Sequence, residues 1–253
     1  MILAFILNVN KEYLIINETA ELDEHVEKEF EEKIKLLLEH IPIQHITKKQ
    51  EFMKLELFVN EHVLIPRADT EILVEEIMHL CQNKDKTFIL DLCTGSGAIG
   101  IALAKYIAKA QIIGIDLSEK ALEIANQNIA NQQLENMKCI RSDLFENLKE
   151  YQFDVIVSNP PYIKSEVINT LEEEVKKEPM IALDGGVTGL DFYLKIVDHA
   201  YQYLKQDGIL ALEIGYDQKE EVINMIKNSK KYTDIYFKKD LNGNDRIVVC
   251  KKR

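Results

Sequence analysis

The feature that most constrains the fold is an apolar run, 153–158, that ends in Asn159-Pro160-Pro161-Tyr162. A β-branched apolar run of this kind predicts a buried strand. Two successive prolines fix φ at about −65° and lack N–H groups, so neither strand nor helix can continue through them. The Asn159 side chain and the Pro160 carbonyl are therefore expected at the carboxyl end of a strand, where open α/β sheets bind their ligands.

The same tetrapeptide has the chemistry of a clamp for a planar amino group. The amide oxygen of Asn159 and the carbonyl of Pro160 are two neighbouring acceptors, which suits an –NH2 group with two donors. Tyr162 offers an apolar ring that can stack on the group bearing that nitrogen. The simpler interpretation is a rigid loop that only turns the chain, but a turn does not need this order of residues.

From Thr87 onward the apolar pattern alternates between strand and helix, which predicts a parallel sheet. The expected strands are 88–93, 111–116, 137–141, 153–158, 208–214, 232–237 and 246–250, with helices at 98–108, 118–131, 191–204 and 218–227. The turn between the last two strands, 242–245, is too short for a crossover helix, so those strands are antiparallel. A mostly parallel α/β sheet with an antiparallel last strand resembles the Rossmann-like domain of class I methyltransferases.

Two smaller units are predicted before this sheet. Residues 1–45 are expected to form a helical domain, since apolar residues recur every three or four positions until Pro42 ends the helix. Residues 46–65 are expected to form a β-hairpin linker with its turn at Asn60. Residues 66–253 then form the sheet domain, whose first helix begins with Asp69 or Thr70 as its N-cap.

Composition limits the compartment and the partners. The 253 residues are 46% hydrophobic and 29% charged, as in soluble globular proteins, and carry a net charge of −12. That charge argues against broad binding to nucleic acid or to anionic membranes. The four cysteines match no zinc or redox spacing and the six histidines are scattered, so we expect no metal site and a reducing, cytoplasmic location.

The glycine loop at 94–97 fits two kinds of cofactor. With Gly100 it matches GxGxxG, and Asp116 follows about twenty residues later, as in dinucleotide-binding proteins. A nicotinamide dehydrogenase therefore stays open at this point. Three features favour S-adenosylmethionine instead. Asp91 is placed to face a cationic methionine end, Asp143 follows the third strand where an adenine amine would lie, and hydride transfer would not need an amino-group clamp.

Longer segments resemble the peptide chain release factor glutamine methyltransferases, the HemK family. They run nearly from end to end of the chain: Val63 to Glu71, Asp91 to Ile99, Asn159 to Tyr162, Glu178 to Gly186, Gly189 to Tyr193, Glu213 to Gly215, and Asp245-Arg246. Adenine and guanine methyltransferases share the Asn-Pro-Pro-Tyr tetrapeptide. The Ile-Pro-Arg and Leu-Asp-Gly-Gly segments make the resemblance more specific.

The resemblance implies an S-adenosyl-L-methionine-dependent enzyme that methylates the side-chain amide of the glutamine in the Gly-Gly-Gln motif of class 1 release factors. Such an enzyme supports translation termination, and we expect a monomer that binds neither nucleic acid nor membrane. The resemblance implies a cofactor site of Asp91, Cys93, Thr94, Gly95, Ser96, Gly97, Asp116, Asp143, Leu144 and Asn159. The implied catalytic residues are Asn159, Pro160 and Tyr162, and the implied substrate-binding residues are Asn159, Pro160, Pro161, Tyr162 and Arg67. An ordinary surface charge would explain Arg67 equally well.

The chain departs from the family pattern at a few positions. Its helical domain is shorter, Lys48 and Lys54 stand where glycines are usual, and Ala68 replaces a proline. These departures bear on the hairpin and on the grip of the partner rather than on the chemistry.

Two alternatives remain from the sequence. An enzyme that methylates exocyclic amines of adenine or guanine would share the clamp, but it needs access to a base and a basic face. The chain offers basic clusters only at Lys48-Lys49 and at 251–253. A non-catalytic protein that keeps the fold is the other alternative, and the intact clamp argues against it.

Overall fold

A computed structural model describes residues 1–82, 84 and 86–253. Its strands are β1 (Lys49–Phe52), β2 (Leu55–Phe58), β3 (Thr87–Leu92), β4 (Ala110–Asp116), β5 (Met137–Arg141), β6 (Phe153–Ser158), β7 (Leu204–Glu213), β8 (Tyr232–Lys239) and β9 (Asp245–Lys252). Strands β1 and β2 form a separate antiparallel hairpin. The other seven form one sheet in the order β5-β4-β3-β6-β7-β9-β8.

The helices are α1 (Ile2–Ile6), α2 (Lys11–Ile16), α3 (Glu24–Leu38), α4 (Ile43–Thr47), α5 (Glu71–Cys81), α6 (Ala98–Tyr106), α7 (Glu119–Asn131), α8 (Ser165–Ile168), α9 (Asp191–Tyr203) and α10 (Lys219–Ser229). Short 3-10 turns occur at Ala68–Thr70, Val175–Lys177 and Met180–Ala182. In the described ranges no helix combines the length and the apolar character needed to cross a membrane.

The predicted fold class is confirmed. Strands β3 to β7 pair in parallel, whereas β9 runs antiparallel to both of its neighbours, β7 and β8. The last strand in the sequence therefore lies inside the sheet rather than at its edge. The strand order reverses between β3 and β6, so the helices that follow these strands lie on opposite sides and open a crevice at their carboxyl ends.

The sheet is covered on both faces, which explains its continuous apolar strands. On one face, side chains of α5, α6 and α7 pack with alternate residues of the central strands, including Ile89, Val155 and Val157. On the other face, α9 and α10 pack against the intervening residues, such as Leu90 and Ile156. Neighbouring residues of the central strands, such as Ile89 and Leu90 or Val155 and Ile156, thus belong to different cores.

The predicted end of α3 at Pro42 is wrong. The helix stops at Leu38, and His40 takes a left-handed conformation with φ of 60°. The N–H groups of His40 and Ile41 donate to the carbonyls of Leu37 and Leu36, which is the Schellman arrangement. The backbone therefore turns before the proline, and Pro42 instead precedes α4 as its N-cap.

The predicted turn of the first hairpin at Asn60 is also wrong. The turn lies at Met53 and Lys54, where φ is 51° and 59°, as both central residues of a type I′ turn require. Asn60 does form a local turn, because its Oδ1 accepts from the N–H of His62 at 3.0 Å. The chain after it, 63–65, does not pair as a strand.

Candidate active site

A cavity of about 260 Å³ lies in the crevice at the carboxyl ends of β3 and β6. The Ser158 hydroxyl donates to the carbonyl of Leu92 at 2.6 Å and joins the two strand ends at that point. Ten of the sequence-predicted site residues line the cavity: Arg67, Cys93, Thr94, Gly95, Ser96, Asp116, Asp143, Leu144, Asn159 and Pro161. Asp91, Gly97, Pro160 and Tyr162 do not line it.

The loop after β3 bends sharply beside the cavity. Cys93, Gly95 and Gly97 all have positive φ, of 63°, 55° and 84°. At Gly97 a Cβ atom would also lie 2.9 Å from the Ile101 side chain, so the close start of α6 requires glycine there. Burial, followed by the charge of Asp116, raises the pKa of the Cys93 thiol, so this cysteine is a neutral wall residue and not a thiolate.

Asp91 lies beneath this loop and not in the cavity wall. It is fully buried, and its Oδ2 accepts from the Thr94 hydroxyl at 2.5 Å and from the N–H of Gly100 at 2.9 Å. Burial raises its pKa to about 6, against those hydrogen bonds. Within the described residues, its Oδ1 has no hydrogen-bond partner. The structure thus gives Asp91 a role in shaping the loop, and its contact with the cofactor stays a prediction.

Asp116 shapes the loop from the cavity side. Its Oδ2 accepts from the N–H of Gly95 and its Oδ1 from the N–H of Ser118, each at 2.9 Å. Burial raises its pKa against these bonds. Carboxylate oxygens each hold two lone pairs, so Asp116 can still accept from a ligand. On the next strand end, Asp143 is exposed and Leu144 has a φ of 46°.

Asn159 lies on the opposite wall with a fixed amide. Its Nδ2 donates to the Thr70 hydroxyl oxygen at 3.3 Å. Thr70 is itself 4% exposed and precedes α5, where its side chain makes no cap hydrogen bond. Because the nitrogen is held from behind, the oxygen of the Asn159 amide is the acceptor left for a ligand in the cavity.

The rest of the clamp is fixed by the chain that follows it. The Tyr162 hydroxyl donates to Glu213 Oε1 at 3.4 Å, so the ring points away from the cavity and its predicted stacking stays a prediction. Gln218 Nε2 donates to the Tyr162 carbonyl at 2.9 Å. A Cβ on Gly185 would lie 2.7 Å from the Tyr162 Cα, so the backbones approach more closely than any other residue allows.

The Leu-Asp-Gly-Gly segment thus has a structural explanation. Ile163 and Asp184 form an isolated parallel bridge, and the N–H of Gly185 donates to the Ile163 carbonyl at 2.8 Å. The segment holds the residues after the clamp as a short added strand would.

Arg67 is paired within the protein. Its guanidinium donates to Glu178 Oε1, and the N–H of Ile65 donates to Glu178 Oε2 at 2.8 Å. The Glu178 side chain is buried, whereas 40% of the Arg67 side chain is exposed, at the cavity. This ion pair fastens the segment after the hairpin to the Glu-Pro segment on the other side of the cavity.

Family profiles match most of the chain. The profile described as "PrmC N-terminal domain" matches residues 1–47, and "Methyltransferase small domain" matches 68–186. A release factor glutamine methyltransferase from Clostridium acetobutylicum is 39% identical over 99% of this chain and 89% of its own length. The chain belongs to the release factor glutamine methyltransferase family. Family membership implies a methyltransferase that uses S-adenosylmethionine.

Further comparisons agree with this family. A release factor glutamine methyltransferase from Fusobacterium nucleatum is 40% identical over 98% of this chain and 70% of its own length. The crystal structure of a methyltransferase from Pyrococcus furiosus has a TM-score of 0.58 at 20% identity, over 88% of this chain and 98% of that one. At that identity the likeness shows the fold alone.

The residues of the site fit the cofactor of this family. Asp116 offers free lone pairs for ribose hydroxyls, and the positive-φ loop brings backbone into the wall without a side chain at Gly95. Among the structural residues that sequence reasoning missed, Asn128 is fully buried and donates to the carbonyls of Ser96 and Phe58, each at 2.9 Å. It joins the cofactor loop to the hairpin.

Three more residues of the site were missed as individual side chains. The sequence indicates Thr70 only as a helix cap. It indicates Glu178 and Glu213 only as members of the segments that resemble the family. All three are polar and at least 94% buried, so each needs a hydrogen-bond partner that the folded structure supplies. Burial of a polar residue is not visible in a local sequence pattern.

Proposed function

We propose that this chain transfers a methyl group from S-adenosyl-L-methionine to the side-chain amide nitrogen of the glutamine in the Gly-Gly-Gln motif of class 1 peptide chain release factors. The observation that carries the proposal is the fixed amide of Asn159, whose nitrogen is bound to Thr70 and whose oxygen is left to accept from a substrate amide. The names of the relatives, release factor glutamine methyltransferases, support the same substrate.

The clamp answers the main chemical difficulty of the reaction. An amide nitrogen is a poor nucleophile, because its lone pair is delocalised into the carbonyl. The Asn159 oxygen, in the cavity wall, accepts one N–H group of the substrate amide, and the Pro160 carbonyl is the expected acceptor of the other, so that the pair orients the nitrogen. Alignment and proximity of this kind can contribute roughly 7–11 kcal/mol, so the residues need not include a strong base.

The cofactor residues hold the methyl donor on the other side of the cavity. S-adenosylmethionine, when bound, supplies a methyl group activated by a sulfonium centre. Asp116 would accept from the ribose hydroxyls, Asp143 and Leu144 would face the adenine, and the backbone of the loop at Gly95 would lie against the methionine part. Cys93, Thr94, Ser96 and Gly97 complete that loop, and Asp91 holds its shape from below.

We also propose that residues 1–45 and the hairpin linker grip the release factor, which acts as a protein partner of a cytoplasmic monomer. Helix α2 exposes 73% of Ile15 and 81% of Ile16, which is apolar surface available for a protein partner. The KM for an intact release factor should then be much lower than the KM for a short peptide with the same motif. Equal KM values for factor and peptide would contradict this docking role.

The decisive experiment is mass spectrometry of a purified release factor after incubation with this protein and S-adenosylmethionine. The peptide that contains the Gly-Gly-Gln motif should gain the mass of one methyl group, and fragmentation should place it on the glutamine. A factor whose motif glutamine is replaced by glutamate is the control and should gain nothing. Methylation of nucleic acid but not of the factor would overturn the proposal in favour of the exocyclic-amine enzyme.

A further inference from the structure

A buried carboxyl lies directly behind the clamp. Glu213, the last residue of β7, is 2% exposed. Its Oε1 accepts from the hydroxyl of Tyr162, a clamp residue, at 3.4 Å. Its backbone carbonyl accepts from the Tyr193 hydroxyl at 2.9 Å, which fixes the end of the strand. Glu213 does not line the cavity, so it acts on the clamp only through other residues.

Thr70 joins the same carboxyl to the other half of the clamp. Its oxygen accepts from Asn159 Nδ2 at 3.3 Å, and its hydroxyl is close enough to Glu213 to lower the pKa of that carboxyl. A threonine hydroxyl that accepts one hydrogen bond can still donate its own proton. In the described part of the chain, Glu213 Oε2 has no hydrogen-bond partner, so the carboxylate keeps an unused acceptor.

We propose that Glu213 is a positioning residue of the clamp, which orients Tyr162 directly and Asn159 through the hydroxyl of Thr70. The kinetic consequence of this arrangement rests on the function proposed above, whereas the structural consequence does not. Glu213 is then a common anchor for the side chains of Asn159 and Tyr162. These two residues lie in the loop after β6, whereas Glu213 ends the neighbouring strand β7.

The protonation state of Glu213 decides whether the anchor holds. Burial raises its pKa to about 7, which Thr70 and Arg246 partly offset by lowering it, while Asp69 raises it further. Arg246 is held there by Asp240 at 2.9 Å and by Asp69 at 3.2 Å. The ionised carboxyl accepts from the Tyr162 hydroxyl and can also accept from the Thr70 hydroxyl. The protonated carboxyl must donate one hydrogen bond, and it then competes with Asn159 for the Thr70 oxygen.

The first test observes the Asn159 side-chain amide by NMR in the full-length protein, with the signal assigned by its loss in Asn159→Asp. In the parent protein the signal should titrate with a midpoint near pH 7, the pKa of Glu213. The titration should vanish in Glu213→Gln and in Thr70→Val, and return in Thr70→Ser. Thr87→Val is the matched control, since Thr87 is a buried threonine at the opposite end of the sheet.

The second test is single-turnover methyl transfer to a release factor at saturating cofactor. Thr70→Val should lower the rate by up to about tenfold, the value of one ordinary hydrogen bond, while KM and cofactor affinity change little. Thr70→Ser should restore the rate, and Thr87→Val should leave it at the parent value. The parent rate should also fall as the pH drops through 7, and this fall should be lost in Glu213→Gln.

The two tests separate this inference from the proposed function. If the parent protein shows the Asn159 titration but methylates no release factor, the proposed function is wrong and the anchor stands. If it methylates the factor but the Asn159 signal does not titrate, or Thr70→Val changes neither signal nor rate, the anchor is wrong. If Glu213→Gln does not fold, the result for Thr70→Val alone tests the proposal.

Discussion

Asn159 acts through one amide whose two ends have different partners. The nitrogen donates a hydrogen bond to Thr70 within the protein, whereas the oxygen is left for a ligand in the cavity that Asn159 lines. An amide without the Thr70 contact could rotate and present either end to a substrate, with the donor and the acceptor exchanged. The hydroxyl behind the clamp therefore leaves the amide oxygen for the cavity, as the proposed binding of a substrate –NH2 group requires.

Replacement of Asn159 by alanine should abolish most of the catalysis and spare the cofactor. The substrate donor left unpaired costs about 1–3 kcal/mol, and a misplaced nucleophile costs about a further hundredfold in rate. We expect single-turnover methyl transfer to fall more than a hundredfold overall, with cofactor affinity by calorimetry nearly unchanged. Asn169→Ala, an exposed asparagine after α8, is the matched control. A near-parent rate for Asn159→Ala would remove the clamp from the mechanism.

Asp116 is the residue that should decide which cofactor binds. Asp116→Ala should weaken S-adenosylmethionine binding by about 1.5–3 kcal/mol, the range for hydrogen bonds to a charged group. Because Asp116 also accepts from the N–H of Gly95, part of this loss will come from the loop. Calorimetry gives the measurement, with the exposed Glu119→Ala as control. Unchanged affinity, or binding of NAD in its place, would contradict the assignment.

At the scale of elements, the hairpin β1–β2 is fastened to the sheet domain at both of its ends. At the turn, the N–H of Met53 donates to Glu71 Oε1 and the Tyr106 hydroxyl donates to the Met53 carbonyl, each at 2.6 Å. At the far end, Asn128 on α7 exchanges two hydrogen bonds with the backbone of Phe58. The hairpin is therefore part of the support of the cofactor loop and not only a tether for the first helices.

The turn of this hairpin should be improved by glycine at Lys54. A left-handed backbone costs a residue other than glycine about 1–2 kcal/mol. Replacement by glycine removes this cost, but the greater conformational freedom of glycine in the unfolded chain offsets about 0.5–1 kcal/mol of the gain. Lys54→Gly should thus stabilise the protein by about 0.5–1 kcal/mol in urea unfolding. Lys49→Gly, in the adjoining strand without positive φ, should instead destabilise it. Equal effects of the two changes would contradict this interpretation.

Asn128 should couple stability to cofactor binding. Asn128→Ala leaves the N–H and the carbonyl of Phe58, both half-buried, and the buried carbonyl of Ser96 without their partner, which should cost about 3 kcal/mol in unfolding free energy. Cofactor affinity should fall as well, because the Ser96 carbonyl belongs to the loop. Gln132→Ala removes one exposed hydrogen bond, from the Gln132 side chain to the Glu56 carbonyl. This change should lower neither the stability nor the cofactor affinity. Loss of stability without loss of affinity would show that the loop does not depend on Asn128.

For the whole molecule, two buried acids near the site have raised pKa values, about 6 for Asp91 and about 7 for Glu213. Above pH 6.5 these groups are already ionised in the unfolded chain, whereas Glu213 keeps part of its proton in the folded protein. The folded state then binds more protons, so stability falls as the pH rises. His45, whose pKa burial lowers to about 4, is neutral in the folded protein but partly protonated in the unfolded chain near pH 6.5, so it contributes a slope of the opposite sign there.

The contribution of Glu213 to the free energy of unfolding should accordingly decrease between pH 6.5 and 8, by less than about 1.4 kcal/mol. In Glu213→Gln the decrease should be smaller, since the titrating group is absent. Urea unfolding at several pH values measures the difference, and Glu221→Gln, an acid in the exposed first turn of α10, is the control. Parallel curves for the parent and Glu213→Gln would show that Glu213 has no raised pKa.

Local sequence determined the elements of this protein and their order. Strands and helices of the sheet follow from the period of the apolar residues, which each segment carries by itself. The position of the clamp follows from two prolines that no strand can continue through. The bend of the glycine loop at 94–97 could also be predicted, because its glycines and the strand that they follow lie close together in the chain.

Only the tertiary structure decided which residues hold the site in shape. Thr70 is 89 positions from Asn159, Glu178 is 111 from Arg67, and Asn128 is 70 from Phe58. Such partners are chosen where packed elements meet, and no local pattern records them. The hairpin turn escaped prediction for a related reason, since Met53 and Lys54 carry no turn signal and the surrounding contacts impose their left-handed backbone.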